Sequence, residues 1–169
     1  MRLFRVLGIT VYVHWTWFLV AAVQWQIGRF GAAWHVATYL TLFGIVLLHE
    51  FGHALACRSV GGWADRIVLW PLGGIAFVQP PPRPGPVLWS IAAGPLVNVL
   101  LVPVTGLVFI LSGGLHTPPE AWTHWQWYVG AVMLMNFSLL AFNLLPIYPL
   151  DGGQMFQAVL WFFMGRARS

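Results

Sequence analysis

Long apolar runs broken by short polar or Gly/Pro-rich stretches pattern this chain from end to end. The runs cover about residues 11–27, 32–57, 87–111 and 125–164. The first three match the ~20 residues that a helix needs to cross a bilayer core. The fourth is about twice that length. Its middle reads Asn143-Leu144-Leu145-Pro146-Ile147-Tyr148-Pro149-Leu150-Asp151-Gly152-Gly153. Two prolines and two glycines end any helix there. Non-helical backbone at membrane depth survives only where it is buried in protein or lines a polar cavity. The fourth run is therefore either two spans or one span broken around a site. Between the second and third runs, residues 67–70 and 75–78 are β-prone stretches flanking Pro71-Leu72-Gly73-Gly74, which reads as a hairpin. Five prolines between Gln79 and Pro86 exclude helix there.

Composition agrees with this pattern. Of 169 residues, 59% are apolar and only 7% are charged, far below the ~25% of soluble domains. Such a chain cannot cover a water-facing surface, and it is too apolar to be disordered. The predicted class is an all-α polytopic membrane protein in the lipid bilayer. It has about four transmembrane helices, the last broken around Pro146–Asp151, and a short β-hairpin or strand segment between spans 2 and 3. The whole chain, 1–169, reads as one membrane-embedded domain with no separate soluble domain.

The net charge of +4 comes entirely from arginine. The arginines lie at the ends of apolar runs, so they mark topology rather than a nucleic-acid surface. With four spans, the last one broken, and the N-terminus inside, Arg2, Arg5, Arg58, Arg66, Arg83, Arg166 and Arg168 fall on the cytoplasmic side. Only Arg29 falls outside. Splitting the last run into two full spans moves Arg166 and Arg168 outside and weakens the asymmetry. The positive-inside rule favours the broken span, with both termini cytoplasmic. The basic start imitates a signal peptide, but Ala21-Ala22 is a poor cleavage site, so a retained first span is expected. Cys57 is the sole cysteine, which excludes an intramolecular disulfide.

The four acids are Glu50, Asp65, Glu120 and Asp151. Asp65 and Glu120 lie between runs, where a carboxylate can reach water. Glu50 and Asp151 lie inside or beside embedded runs, where an ionisable group is costly and marks function. His49-Glu50-Phe51-Gly52-His53 fits the pattern H-E-x-x-H. Four residues on a helix bring a side chain back to the same face, ~6 Å further along. Both imidazoles can then hold one metal ion, while Glu50 projects to the side as a general base toward zinc-bound water. Two neutral nitrogens and one carboxylate suit Zn²⁺ and leave a position open. Asp151 is the good candidate for the third ligand. Its competing reading is an N-cap of a helix starting near Gly153, and the two roles can coexist. His49 is nine residues before Arg58, ~14 Å along the helix, so water must reach it through a cytoplasmic-side cavity.

Pairing H-E-x-x-H with Asn143, Pro146, Pro149, Asp151 and Gly152 in N-x-x-P-x-x-P-x-D-G spacing, the chain resembles the site-2 protease family of intramembrane zinc metalloproteases, the M50 group. Val13-His14-Trp15-Thr16 resembles the branch that includes sporulation factor proteases. Pro71-Leu72-Gly73-Gly74 and Ala93-Gly94-Pro95-Leu96-Val97-Asn98 resemble the family's strand-turn and third-span motifs. The resemblance covers about residues 10–165. It implies one zinc ion per chain, bound by His49, His53 and Asp151. Glu50 would be the general base and proton carrier, and Asn98 a catalytic candidate that holds the oxyanion or the substrate backbone. The competing reading of Asn98 is a helix-contact hydrogen bond. Asn143 would brace the broken segment or line the site.

The implied activity is endoproteolysis within or near transmembrane helices of single-span membrane proteins. Anti-sigma factors and membrane-tethered transcription factor precursors are the substrates the family suggests. The implied location is a bacterial or archaeal plasma membrane. A shielded helix must unwind before cleavage, and residues 67–78 could offer a strand edge to the extended peptide. Two other classes compete. A catalytically silent helix-binding adaptor or chaperone with a structural metal would not need Glu50. A metal transporter would need ligands at several depths, whereas here the embedded acids converge on one.

Overall fold

The computed structural model describes residues 1–27, 31–70 and 73–165. Arg29, Pro71, Leu72, Arg166 and Arg168, used in the sequence arguments above, lie outside the described residues. The elements run β1 (Arg2–Val6), β2 (Ile9–Val13), α1 (Trp17–Ile27), α2 (Ala32–Ser59), β3 (Trp63–Trp70), β4 (Gly73–Gln79), α3 (Pro84–Leu111), α4 (His124–Asn143) and α5 (Asp151–Met164), with a 3-10 turn at Pro119–Ala121.

α2 and α3 each have 28 residues and are long and apolar enough to cross a membrane. At 1.5 Å per residue each is about 42 Å long, enough to span with tilt. The polarity of α2, α3 and α4 is the reverse of a water-soluble fold. Leu40, Leu48, Leu100, Leu107, Leu134 and Phe137 face outward, whereas His49, Glu50, His53, Ser90, Asn98 and Asn136 are buried. An apolar exterior around a polar interior is stable when lipid is the solvent. The chain is thus built to associate with a membrane.

The sequence pattern led to one hairpin, but the fold carries a four-stranded sheet in the order β1-β2-β3-β4. β1 and β2 form an antiparallel hairpin, and β3 and β4 another. β2 runs parallel to β3, Thr10 opposite Arg66 and Val13 opposite Leu69. Residues 11–13, expected to open the first span, therefore belong to a strand. The reason lies in their alternation: Ile9, Val11 and Val13 are buried while Thr10 and Tyr12 are not. Period two suits a sheet face and period 3.6 does not. α1 keeps only 11 residues, about 16 Å, well short of a ~30 Å hydrocarbon core.

The sheet's buried face joins α2. Ile9, Val11, Val13, Ile67 and Leu69 pack with Trp17, Val46, Ala54 and Cys57 in one core. Arg58, near the end of α2, ties this joint together. Its Nε donates to the Ala64 carbonyl at 2.8 Å, and its Nη1 to that of Leu7. The sheet is therefore fixed against the helix that carries H-E-x-x-H. α3 starts at Pro84, inside the 79–86 stretch where prolines were expected to exclude helix, because proline is tolerated in a helix's first turn. The break expected in the fourth run is present as well. α4 ends at Asn143, residues 144–150 form a non-helical loop, and α5 begins at Asp151.

Candidate metal centre

His49 and His53 lie one turn apart on the buried face of α2, and both are less than a tenth exposed. Their Nε2 atoms stand 3.1 Å apart. Asp151 arrives from the first turn of α5. Its Oδ2 lies 3.0 Å from His49 Nε2 and 3.3 Å from His53 Nε2. Three donor atoms from two distant segments thus close a small triangle. Glu50 stands beside it, with ligand atoms of His49, Glu50 and His53 all within 4.8 Å of one another. Its carboxylate is turned toward β4, where it packs against the backbone at Gly74.

The hydrogen bonds behind the rings test whether a cation fits. His53 Nδ1 faces the Ser90 carbonyl at 2.9 Å, and His49 Nδ1 faces Asn98 Oδ1 at 2.6 Å. A carbonyl oxygen only accepts, so Nδ1 carries the hydrogen in each ring. A neutral ring then presents a bare lone pair at Nε2. Two bare nitrogens and a carboxylate oxygen face each other across 3.0–3.3 Å, an arrangement that a cation between them relieves. Ligands held at zinc bond lengths in tetrahedral array stand about 3.3 Å from one another. His49, His53 and Asp151 therefore fit zinc, and the acceptors behind both rings have the form usual for zinc-bound histidines.

Glycines let backbone close around these groups. A Cβ on Gly94 would lie 2.8 Å from His53 Cδ2 and nearer still to Nε2 and Cε1. A Cβ on Gly74 would lie 2.6 Å from Glu50 Oε1. Gly52 plays the same part between helices, where its Cβ would sit 2.6 Å from the Ala93 carbonyl oxygen. Gly153 lets the loop fold back on α5, since its Cβ would sit 2.6 Å from Ile147 C and Tyr148 N. The loop includes a cis Tyr148–Pro149 bond, and the Pro149 carbonyl accepts from Gln154 Nε2 at 2.8 Å. Asp151 is thus held by the first turn of α5 and the strap beneath it. The cap position of that helix is Leu150, so Asp151 is not its N-cap.

A cavity of about 410 Å³ opens onto His49, Glu50, His53 and Asp151, and β4 and the 149–151 strap line it. Asn143 lines it too, while its Nδ2 donates to Leu139 O at 3.0 Å. Asn98 lies elsewhere. It is fully buried behind His49, away from the cavity lining, with Oδ1 on His49 and Nδ2 donating to Asn136 Oδ1 at 2.7 Å. The site also uses groups that motif reading did not single out. The Ser90 carbonyl leaves no mark in a sequence. Asn136 does leave one, an amide inside an apolar run, but its use depends on which helix it faces.

Comparison with known proteins agrees with this geometry. Residues 104–169 match the profile of Peptidase family M50. The chain is 32% identical over 166 residues to a zinc metalloprotease of Methanocaldococcus jannaschii, a match covering 94% of this chain and 45% of that protein. It is 31% identical over 147 residues to stage IV sporulation protein FB of Bacillus subtilis, covering 86% of this chain and 46% of that protein. The chain thus spans under half the length of these relatives. Among solved structures, the site-2 protease of M. jannaschii superimposes with a TM-score of 0.70 at 27% identity, over 99% of this chain and 74% of that one. Histidines and an aspartate thus meet from α2 and α5 on a fold shared with a site-2 protease, in a sequence similar to zinc metalloproteases and, over residues 104–169, to peptidase family M50.

Proposed function

We propose that this protein is an intramembrane zinc endopeptidase that cleaves single-span membrane proteins within or near their transmembrane helices. The observation that carries the reading is the meeting of His49 Nε2, His53 Nε2 and Asp151 Oδ2, with Glu50 beside them, in a cavity inside an apolar-surfaced fold. In this reading those three atoms hold the zinc. Bound there, zinc supplies Lewis-acid polarisation of the scissile carbonyl and acidifies the attacking water. Glu50 takes the proton from that water at its carboxylate and delivers it to the leaving amine nitrogen. The Gly74 backbone, packed against that carboxylate, keeps it on the β4 side of the cavity. Asn98 acts behind His49 as a positioning residue.

The substrate binds as an extended strand. β4 is an edge strand of the sheet, and Gly73, Gly74, Ile75, Ala76 and Val78 line the cavity that holds Glu50. An edge strand offers backbone groups to an unwound peptide regardless of its side chains. Four membrane crossings, the first made by α1 together with the strand β2 that leads into it and the last by α4 and α5 together, put both termini in the cytoplasm by the arginine asymmetry. The chain then acts as one membrane-embedded unit in a bacterial or archaeal plasma membrane.

The test uses the full chain in detergent, with bound zinc measured by elemental analysis. Cleavage of a dye-labelled single-span peptide with a glycine pair in its span is followed alongside. About one zinc per chain is expected, lost in His49→Ala and in Asp151→Ala. Glu50→Gln should keep the zinc and lose at least about 100-fold in cleavage. Zinc retained in Asp151→Ala, or cleavage retained in Glu50→Gln, would overturn the assignment.

A further inference from the structure

Asn136 on α4 is fully buried, one residue removed from the metal ligands. Its Nδ2 donates to the Asn98 main-chain carbonyl at 2.9 Å. That carbonyl only accepts, so the Asn136 amide has one permitted orientation. Its Oδ1 is thereby aimed at the Asn98 side chain and sits 2.7 Å from Nδ2. An acceptor at that place requires the NH₂ end of Asn98. The Asn98 oxygen is then turned toward His49 Nδ1 at 2.6 Å. An oxygen there requires the hydrogen on Nδ1, which leaves His49 Nε2 bare toward Asp151 and His53.

We propose that Asn136 is a positioning residue of the metal centre: through Asn98 it fixes which nitrogen of His49 carries the hydrogen. The need for it follows from the neighbouring ligand. His53 Nδ1 faces a main-chain carbonyl, Ser90 O, which cannot turn around. His49 Nδ1 faces a side-chain amide, which can. With Asn98 reversed, its NH₂ would face Nδ1, the hydrogen would move to Nε2, and the lone pair aimed at the metal would be lost. Asn136 removes that freedom by referring the Asn98 amide to Asn98's own main chain. A buried asparagine that only joined α3 to α4 would be helix glue, worth about 1 kcal/mol in a membrane protein and indifferent to metal.

The inference rests on the reading of His49 as a metal ligand, and the test separates the two. Zinc affinity of the full chain in detergent is measured by competition with a chromophoric chelator. Asn136→Ala should weaken zinc by about 10–100-fold, the usual loss when a partner behind a ligand is removed. Asn136→Asp, buried and therefore protonated, donates its O–H to the Asn98 carbonyl while its other oxygen accepts from Asn98 Nδ2, and should stay within about threefold of wild type. In an Asn98→Asp background either carboxylate oxygen accepts from His49 Nδ1. Adding Asn136→Ala there should also cost no more than about threefold.

Metal-free protein with ¹⁵N-labelled histidine gives an independent readout. The His49 signals should report hydrogen on Nδ1 in wild type and in Asn136→Asp, and a mixture of the two tautomers in Asn136→Ala. Equal zinc affinity for wild type and Asn136→Ala, or the same loss in both Asn98 backgrounds, would overturn the inference. So would a tenfold loss in Asn136→Asp, the variant that serves if Asn136→Ala does not fold. A wild type that binds no zinc would sink the ligand reading instead, and the ¹⁵N tautomer comparison would still decide the role of Asn136.

Discussion

Gly94→Ala isolates the metal centre from the stability of the fold. The added methyl would stand 2.8 Å from His53 Cδ2, with Nε2 and Cε1 nearer, where ordinary contact begins near 3.4 Å. The ring must therefore shift by at least about 0.6 Å at Cδ2 and by more at Nε2. α3 cannot easily retreat, because its Asn98 is bonded to His49 of α2 at 2.6 Å and to Asn136 of α4. Nor can the ring turn freely, because its Nδ1 is held by Ser90 O at 2.9 Å. Zinc sites tolerate ligand displacements of only about 0.2 Å. The expected loss is at least 10–100-fold in zinc affinity, about 1.4–2.8 kcal/mol.

Stability of the metal-free chain moves less, because alanine is favoured over glycine inside a helix by about 0.5–1 kcal/mol and offsets part of the clash. The assay is chelator competition on detergent-solubilised protein, with thermal unfolding of the metal-free form in parallel. Gly44→Ala and Gly106→Ala are the controls, since a Cβ at either site meets nothing within 4 Å. Both should keep zinc affinity and gain slightly in unfolding temperature. Zinc bound by Gly94→Ala as tightly as by the controls would refute the claim that His53 needs this glycine.

Gly74→Ala should act on the other half of the site. Its methyl would collide with the Glu50 carboxylate rather than with a ligand, so cleavage should fall by roughly 100-fold while zinc stays bound. Loss of zinc together with cleavage would mean that β4 supports the ligands directly. The strand-addition reading makes a separate demand on the substrate. In a set of single-span peptides N-methylated one backbone position at a time around the cleavage site, inhibition should recur at every second residue, as ladder bonds do. Uniform sensitivity, or none, would count against β4 as the docking edge.

Much of the site was legible because its chemistry is written at fixed spacings. H-E-x-x-H sets two imidazoles on one helix face by the 3.6-residue period alone. Asp151 stood out because an acid beside a Pro/Gly break in an apolar run has few uses other than a site. The hairpin at 67–78 showed in its turn residues. Asn98 was visible as a polar residue in a span, but its partner was not. Whether an amide faces a cavity or the back of a histidine depends on helix rotation, which an apolar run leaves unspecified.

The sequence by itself pointed to a membrane-embedded chain of about four spans with the last one broken and a zinc-type ligand pattern, of which the structure keeps the break and two helices long and apolar enough to cross, α2 and α3. Composition and local spacing suffice for these, since each follows from the energy of placing charge or open backbone in lipid. Only the tertiary structure decided that residues 9–13 are a strand. Their period-two signal is short and merges into the apolar run behind it, and the partner that stabilises them, β3, lies more than fifty residues away. It alone decided that β4 is an edge strand against Glu50. It alone joined Asn136, Asn98 and His49 into one chain of hydrogen bonds. Those contacts join segments distant in sequence, and hydrogen-bond direction is fixed only once the partners have met.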